Sequence, residues 1–105
     1  MVKHKIFISQ PMRNKTDEQI LDERNRAIDI IKETYGNDIV VLDSFIKEDA
    51  PTGTKTPVWF LAKSLELLSQ ADFACFVGDW KNYRGCKIEH EVAQEYGISA
   101  IDIRI

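Results

Sequence analysis

At 105 residues and a net charge of −3, the chain is long enough for one hydrophobic core and has no excess of positive charge with which to hold a nucleic-acid backbone. Hydrophobic residues at 44% and charged residues at 30% are typical of a globular domain, and no apolar run reaches the ~20 residues of a membrane-spanning helix. We therefore expect a single domain over residues 1–105, with no membrane and no nucleic-acid polymer among its partners.

In chain order, short apolar runs alternate with helical patterns. Thr16 and Gln19 have the spacing of a capping box, which predicts the start of the first helix, and Gly36 followed by Asn37 predicts its end. Thr56 before Pro57 predicts an N-cap and the first position of the second helix, and Gly97 predicts the end of the third. The predicted strands are residues 5–9, 38–44, 72–78 and 98–105, and the predicted helices run from Thr16 to about Glu33, from Pro57 to about Gln70 and from Gly85 to Tyr96.

Strands that alternate with helices predict right-handed crossovers and a parallel sheet covered on both faces. With four strands, the expected fold is an α/β three-layer sandwich of flavodoxin-like or Rossmann-like type, with strand order 2-1-3-4. Ligands bind such sheets beyond the carboxyl ends of the strands, at the switch point between strands 1 and 3. That rule selects two loops, SQPMRNKT at 9–16 and GDWKNYRGC at 78–86.

Glu89 is placed on the inward side of the third helix by the 3.6-residue period. A buried carboxylate needs a partner or a chemical role. Arg24, on the inward stripe of the first helix, could be the partner. Alternatively, the amino terminus of the third helix would attract an anion and keep Glu89 ionised, which suits attack at an electron-poor sugar carbon. The predicted inward stripe is Gly85, Glu89, Val92, Ala93 and Tyr96, and the solvated side is Lys87, His90, Gln94 and Glu95.

Other polar residues of the two loops are candidates for ligand contacts. Arg13 and Arg84 could supplement the helix terminus, with Lys87 beside them. Pro11 makes the turn after strand 1 and leaves Ser9 and Gln10 free to face a ligand.

For several residues two interpretations stay open. Trp80 and Tyr83 could stack on a base, or the loop could pack on its own domain. Cys86 could be a reactive thiol or simply a small residue that lets the turn form. Asp43, followed by Ser44, could hold a ribose hydroxyl or cap a turn.

No metal or other cofactor is expected, because His4 and His90 lack ligand-like neighbours at the usual spacings. Cys75 and Cys86 are interpreted as free thiols of a reducing compartment, and the start MVKHKIFIS shows no secretory leader. We therefore expect a cytoplasmic location.

Three motifs carry a resemblance over nearly the whole chain: SQPM after strand 1, AD before strand 3, and G-C-x-x-E-x-E-x-A over 85–93. They resemble a small bacterial and phage family of unknown function within the nucleoside 2-deoxyribosyltransferase superfamily, whose members share a turn proline, here Pro11, and a nucleophilic glutamate, here Glu89. The resemblance implies cleavage or transfer at the N-glycosidic bond of a (deoxy)nucleoside or its 5′-monophosphate. Glu89 would attack the anomeric carbon, and a base or water would resolve the glycosyl-enzyme.

The sequence departs from the deoxyribosyltransferase pattern at four positions: Glu91 replaces a glycine, Tyr83 an aspartate, Phe7 a tyrosine and Ser64 an aspartate. The change at Ser64 is similar to the monophosphate hydrolases of the superfamily, and Asp79 is the nearest acid to donate a proton. An alternative function is a nucleotide-binding module without catalysis, acting as a sensor or a ligand sponge. The predicted site is catalytic Glu89 and Asp79 with substrate-binding Ser9, Gln10, Pro11, Met12, Arg13, Arg24, Asp43, Ser64, Gly78, Trp80, Tyr83, Arg84, Gly85 and Cys86.

The second helix is apolar nearly all round, so assembly is a further expectation. If this helix buries only one face against its own domain, Trp59, Phe60 and Leu67 are left as an exposed patch. Such a patch predicts a homodimer in which this helix forms the interface. The superfamily resemblance also implies a homo-oligomer. The alternative is a monomer in which the loop from Phe45 to Thr56 folds over Trp59 and Phe60.

Overall fold

The computed structural model describes residues 3–42, 45–46 and 48–105. Four strands and three helices alternate along them, joined after the third strand by a short 3-10 helix, Trp80–Asn82. The strands are β1 (His4–Ser9), β2 (Ile39–Leu42), β3 (Phe73–Val77) and β4 (Ser99–Ile103), and the helices are α1 (Asp17–Tyr35), α2 (Thr56–Leu68) and α3 (Arg84–Glu95).

All strand pairs are parallel, and the sheet order is β2-β1-β3-β4. The predicted fold class and strand order are therefore confirmed. β1 pairs with β2 on one side and with β3 on the other. The crossover after β1 therefore leads to one side of β1, and the crossover after β2 leads to the opposite side. The carboxyl ends of β1 and β3 consequently form the switch point of the fold.

Side-chain alternation along the strands explains the three layers. Ile6 and Ile8 of β1 belong to one buried cluster with Ala27 and Ile31 of α1. Phe7, one residue out of phase, belongs to the opposite cluster, which packs against α2 and α3. One face of the sheet is thus covered by α1 and the other by α2 and α3.

The predicted start of α1 is confirmed, and the other helix ends differ from prediction by one or two residues. The capping box of Thr16 and Gln19 is present, and Gly36 closes α1 with a φ of 80°, a conformation that favours glycine. Thr56 is the first residue of α2 and not its N-cap, which is Lys55 without a side-chain hydrogen bond. α2 also ends at Leu68, before the predicted Gln70.

The sides predicted for three residues in and beside α3 are wrong. Gly85, predicted to face inward, is exposed in the first turn of the helix. Tyr96 is 80% exposed, because α3 ends at Glu95 and the helical period stops before the tyrosine. His90 is half-buried and stacks on Trp80, with ring centroids 4.2 Å apart. The 3-10 helix folds Trp80 against the flank of α3 and thereby covers a side that the period alone assigns to solvent.

The exposed patch predicted on α2 is not formed. Trp59, Phe60 and Leu67 are each half-buried, and Leu67 packs against the cluster beneath α2 and α3. The reason given for a dimer seam on α2 is therefore wrong, and homodimerisation remains a prediction without a surface assigned to it. No helix of the described chain has the length and apolar character needed to cross a bilayer.

Candidate functional site

A cavity of about 420 Å³ lies at the switch point, between the loop after β1 and the start of α3. α2 and residues 45–46 close its other sides. The position agrees with the rule for parallel sheets and with the two loops selected from sequence. The described lining consists of Phe7, Ile8, Ser9, Gln10, Pro11, Met12, Arg13, Phe45, Ile46, Pro57, Phe60, Leu61, Ser64, Tyr83, Arg84, Gly85, Cys86 and Glu89.

Glu89 is a buried carboxylate of this lining, 7% exposed. Ser9 Oγ donates a hydrogen bond of 2.6 Å to Glu89 Oε1. The hydroxyl of Ser64 on α2 lies near the same carboxylate and acts to lower the pKa of Glu89. Alternate residues of a strand point to the same face of the sheet. Phe7 points toward α2 and α3, so Ser9, two residues later, points to the same face and reaches Glu89. Three separate elements, β1, α2 and α3, therefore position this one group.

Arg24 does not pair with Glu89, so the salt-bridge alternative considered from sequence is wrong. Arg24 is buried on α1 and donates from Nη2 to the backbone oxygen of Leu42, 3.0 Å away, at the end of β2. No salt bridge to Glu89 is formed by any residue that the structure describes. Among the described residues, the carboxylate is therefore contacted by neutral hydroxyl groups and its charge is not compensated by a cation.

Burial raises the pKa of Glu89 above its ordinary value of 4.5, and the hydrogen bonds from Ser9 and Ser64 oppose that rise only in part. We expected the dipole of α3 to keep this carboxylate ionised, and the direction is the opposite. The cost of removing the charge from water outweighs the two donated hydrogen bonds. Such a perturbed carboxyl in a cavity is typical of functional sites.

The raised pKa of Glu89 predicts a pH-dependent stability difference between the wild type and Glu89→Gln. Below about pH 4.5 the carboxyl is protonated in both folded and unfolded chains and costs little. As the pH rises, the unfolded chain loses this proton first, so Glu89 lowers the free energy of unfolding progressively until the folded pKa is passed. Glutamine does not titrate and keeps the shape. Urea unfolding should therefore show Glu89→Gln more stable at pH 7, with the advantage disappearing toward pH 4.

Glu91→Gln is the matched control for that measurement, because Glu91 is exposed on the same helix. Its effect should stay within ~0.5 kcal/mol at each pH. A Glu89→Gln protein that is less stable than the wild type at pH 7 would contradict the assigned burial cost.

Cys86 is a buried thiol of the lining and not an activated nucleophile. Burial raises its pKa to about 11, the nearby charge of Glu89 adds to the rise, and a hydrogen bond with Ser9 opposes it. A thiol with this pKa is almost wholly protonated at neutral pH, whereas reactive cysteines have lowered values. The interpretation of Cys86 as a small structural residue is the one that the structure supports.

The mouth of the cavity is cationic. Arg13 and Arg84 are exposed members of the lining, and the guanidinium of Arg13 lies 5.4 Å from the ring centre of Tyr83. Tyr83 is the N-cap of α3 and makes no side-chain capping bond. Helix geometry leaves the first N–H groups of α3 without intrahelical acceptors, so this terminus attracts an anion.

Several predicted site residues lie elsewhere. Trp80 is buried, its Nε1 donates to Asp102 Oδ1 at 3.1 Å and its ring contacts His90, so it packs on its own domain. Gly78 and Asp79 are exposed and, like Arg24, lie outside the described lining. Asp43 is outside the described residues, and so is Ser44.

The apolar wall of the cavity was missed from sequence. Phe60 and Leu61 line it from α2, although Phe60 was assigned to an exposed patch. Phe45 and Ile46 line it as well, in keeping with the alternative in which the long loop folds back toward Phe60. The α2 residues carried a signal in their all-round apolar pattern, whereas Phe45 and Ile46 lie in a loop with no periodicity to place them.

Comparisons with protein-family models, with curated proteins and with solved structures found no match to this chain. Among the described residues, no group of three or more histidine, cysteine, aspartate or glutamate side chains is placed to hold a metal ion.

Proposed function

We propose that the protein cleaves or transfers at the N-glycosidic bond of a (deoxy)nucleoside or nucleoside 5′-monophosphate, with Glu89 as the nucleophile. The observation that carries this proposal is the buried carboxylate of Glu89 in the cavity at the switch point, which accepts a hydrogen bond from Ser9 and has no cationic partner among the described residues. A carboxylate whose charge is not neutralised by an arginine keeps its nucleophilic character once ionised. The resemblance of the motif over 85–93 to the nucleoside 2-deoxyribosyltransferase superfamily supports the same reaction.

In the proposed reaction, an oxygen of Glu89 forms a bond to the anomeric carbon while the bond from that carbon to the base nitrogen breaks. The electron pair of the broken bond leaves with the base, and the sugar becomes an ester of Glu89. Water, or a second base, then attacks the same carbon and frees the carboxylate. Ser9 would orient the carboxylate for both steps through the hydrogen bond that it donates, with the Ser64 hydroxyl beside it.

The departing base must also gain a proton. Within the described lining Glu89 is the sole carboxylate, because Asp79 lies outside it. The two-carboxylate arrangement of retaining glycosidases is therefore not the basis of this proposal. Tyr83 belongs to the lining and carries a hydroxyl that could donate this proton, and solvent at the open mouth is the other candidate source.

The direct test is incubation of the protein with a panel of nucleosides, 2′-deoxynucleosides and their 5′-monophosphates, followed by chromatography for free base. Release of base from any member, with the matching free sugar or a new nucleoside, would support the proposal and separate hydrolysis from transfer. No release from any member, at enzyme concentrations of tens of micromolar over a day, would overturn it.

The cationic mouth predicts a preference for phosphate. A 5′-monophosphate should bind ~10-fold more tightly than its nucleoside at low salt, because Arg13, Arg84 and the start of α3 all favour an anion. Titration calorimetry at 20 mM and 500 mM NaCl checks this, since salt should reduce the difference. Arg84→Gln should remove part of it, and the exposed Arg104→Gln is the control. Equal affinities at low salt would point to a pocket for the uncharged nucleoside.

A binding module without catalysis is the second candidate. Two observations favour it: Asp79, the predicted proton donor, lies outside the lining, and the raised pKa of Glu89 leaves a larger protonated fraction that binds but does not attack. The panel distinguishes the two functions. Ligand binding at micromolar concentrations together with intact ligands after a day would establish the module.

A further inference from the structure

Gln10 follows β1 directly, is 5% exposed and belongs to the cavity lining. Its Nε2 donates a hydrogen bond of 2.5 Å to the backbone oxygen of Ile20, in the first turn of α1. A backbone oxygen can only accept a hydrogen bond, so this contact assigns the nitrogen and oxygen positions of the Gln10 amide. Nε2 faces Ile20 and Oε1 faces away from it.

The amide oxygen Oε1 of Gln10 is buried and accepts no hydrogen bond from any group in the described chain. A buried acceptor without a donor is costly, and in folded proteins a protein group, a water molecule or a ligand nearly always supplies one. Neither Ser9 nor Ser64 donates to this oxygen, and the Ser9 hydroxyl instead donates to Glu89. The acceptor is thus left over in the wall of the cavity.

We propose that Gln10 is a specificity-determining residue of the cavity, whose Oε1 accepts a hydrogen bond from an uncharged N–H or O–H group of the ligand. The inference rests on the proposed function, since it takes nucleosides as the ligands. Because Oε1 is buried here, contact with a ligand requires a rotation about the last side-chain torsion of glutamine, which is broad. The donor is either an exocyclic amino group of the base or a hydroxyl of the sugar.

Pairs of nucleosides that differ in one donor test the proposal. Adenosine against purine riboside, and cytidine against pyrimidin-2-one riboside, remove only the amino group. Each ribonucleoside against its 2′-deoxy form removes only a hydroxyl. In titration calorimetry, the wild type should bind the member that carries the donor about tenfold more tightly than the member that lacks it, in at least one pair. Chromatography of the solution recovered from the calorimeter then checks that the ligand stayed intact during the titration.

Gln10→Met keeps the length of the side chain and removes the acceptor. This variant should reduce the ratio of affinities within the preferred pair from about tenfold to about twofold. Its affinity for the member without the donor should change little. Gln94→Met, at an exposed position of α3, is the matched control and should leave every preference unchanged. If Gln10→Met does not fold because the hydrogen bond to Ile20 is lost, the affinities of the wild type for the two members of each pair are the test.

Binding of nucleosides without a preference in any pair would overturn the role of Gln10 and leave the proposed function standing, with a trapped water as the partner of Oε1. A preference that Gln10→Met retains would overturn it equally. Absence of both binding and base release would instead remove the proposed function, and the inference with it.

Discussion

Replacing Glu89 with glutamine is expected to lower base release by at least ~10³-fold while leaving ligand affinity within a few-fold. The amide preserves the shape of the carboxyl, and the hydroxyls of Ser9 and Ser64 can still hydrogen-bond to it, because a hydroxyl both donates and accepts. It cannot form the glycosyl ester. The measurement is the initial rate of base release at saturating nucleotide, with the dissociation constant from calorimetry.

Glu91→Gln controls for the loss of a negative charge on α3, since Glu91 is exposed and two residues away. Its rate should equal that of the wild type. Turnover retained by Glu89→Gln would remove Glu89 from the mechanism, whereas loss of affinity and turnover together would show a binding role. Mass spectrometry of an acid-quenched wild-type reaction should show the protein carrying one added sugar, and the Glu89→Gln protein should not.

Replacing Phe76 with alanine is expected to lower the free energy of unfolding by about 3–5 kcal/mol. Phe76 is fully buried in β3, and its ring centre lies 5.3 Å from that of Trp80 and 4.8 Å from that of His90. The residue therefore joins the sheet to the 3-10 helix and to α3, which carries Glu89. For a domain with a total stability of roughly 5–15 kcal/mol, this loss is severe.

Urea unfolding followed by circular dichroism measures the effect, with the midpoint lowered and the slope of the transition little changed. Tyr96→Ala is the control, because it removes an aromatic ring that is 80% exposed and should cost no more than ~0.5 kcal/mol. If Phe76→Ala is unfolded from the outset, Phe76→Leu should show a smaller loss in the same direction. A loss under ~1 kcal/mol for the alanine variant would contradict the packing of α3 on Phe76.

The fold could be predicted because its signals are local and agree with one another. The capping box at Thr16 and the stop at Gly36 bound α1 in the structure much as they do in the sequence. Alternating strands and helices then leave few topologies, since right-handed crossovers constrain the order of a short parallel sheet. The errors fall at element ends, as at Thr56, where one residue separates an N-cap from the first helical position.

The candidate site divides between what local patterns reveal and what they cannot. Glu89 was identified because a helical period specifies which side of α3 faces inward. The misplacement of His90 shows the limit, because the width of a buried face depends on what packs there, and Trp80 comes from a separate segment. The apolar wall from Phe45 and Ile46 has no periodic signal at all.

By itself the sequence determined the fold class, the strand order, the two loops at the switch point and the inward position of Glu89, since each follows from hydrophobic period, capping or chain connectivity. Only the tertiary structure decided which groups meet Glu89: Ser9 and Ser64 in place of Arg24. It likewise decided that burial raises the pKa of Glu89 although a helix terminus is near, and that the oxygen of Gln10 has no donor in the described chain. The physical reason is that desolvation and hydrogen bonding depend on atoms brought together from distant parts of the chain, and no spacing along the sequence encodes those distances.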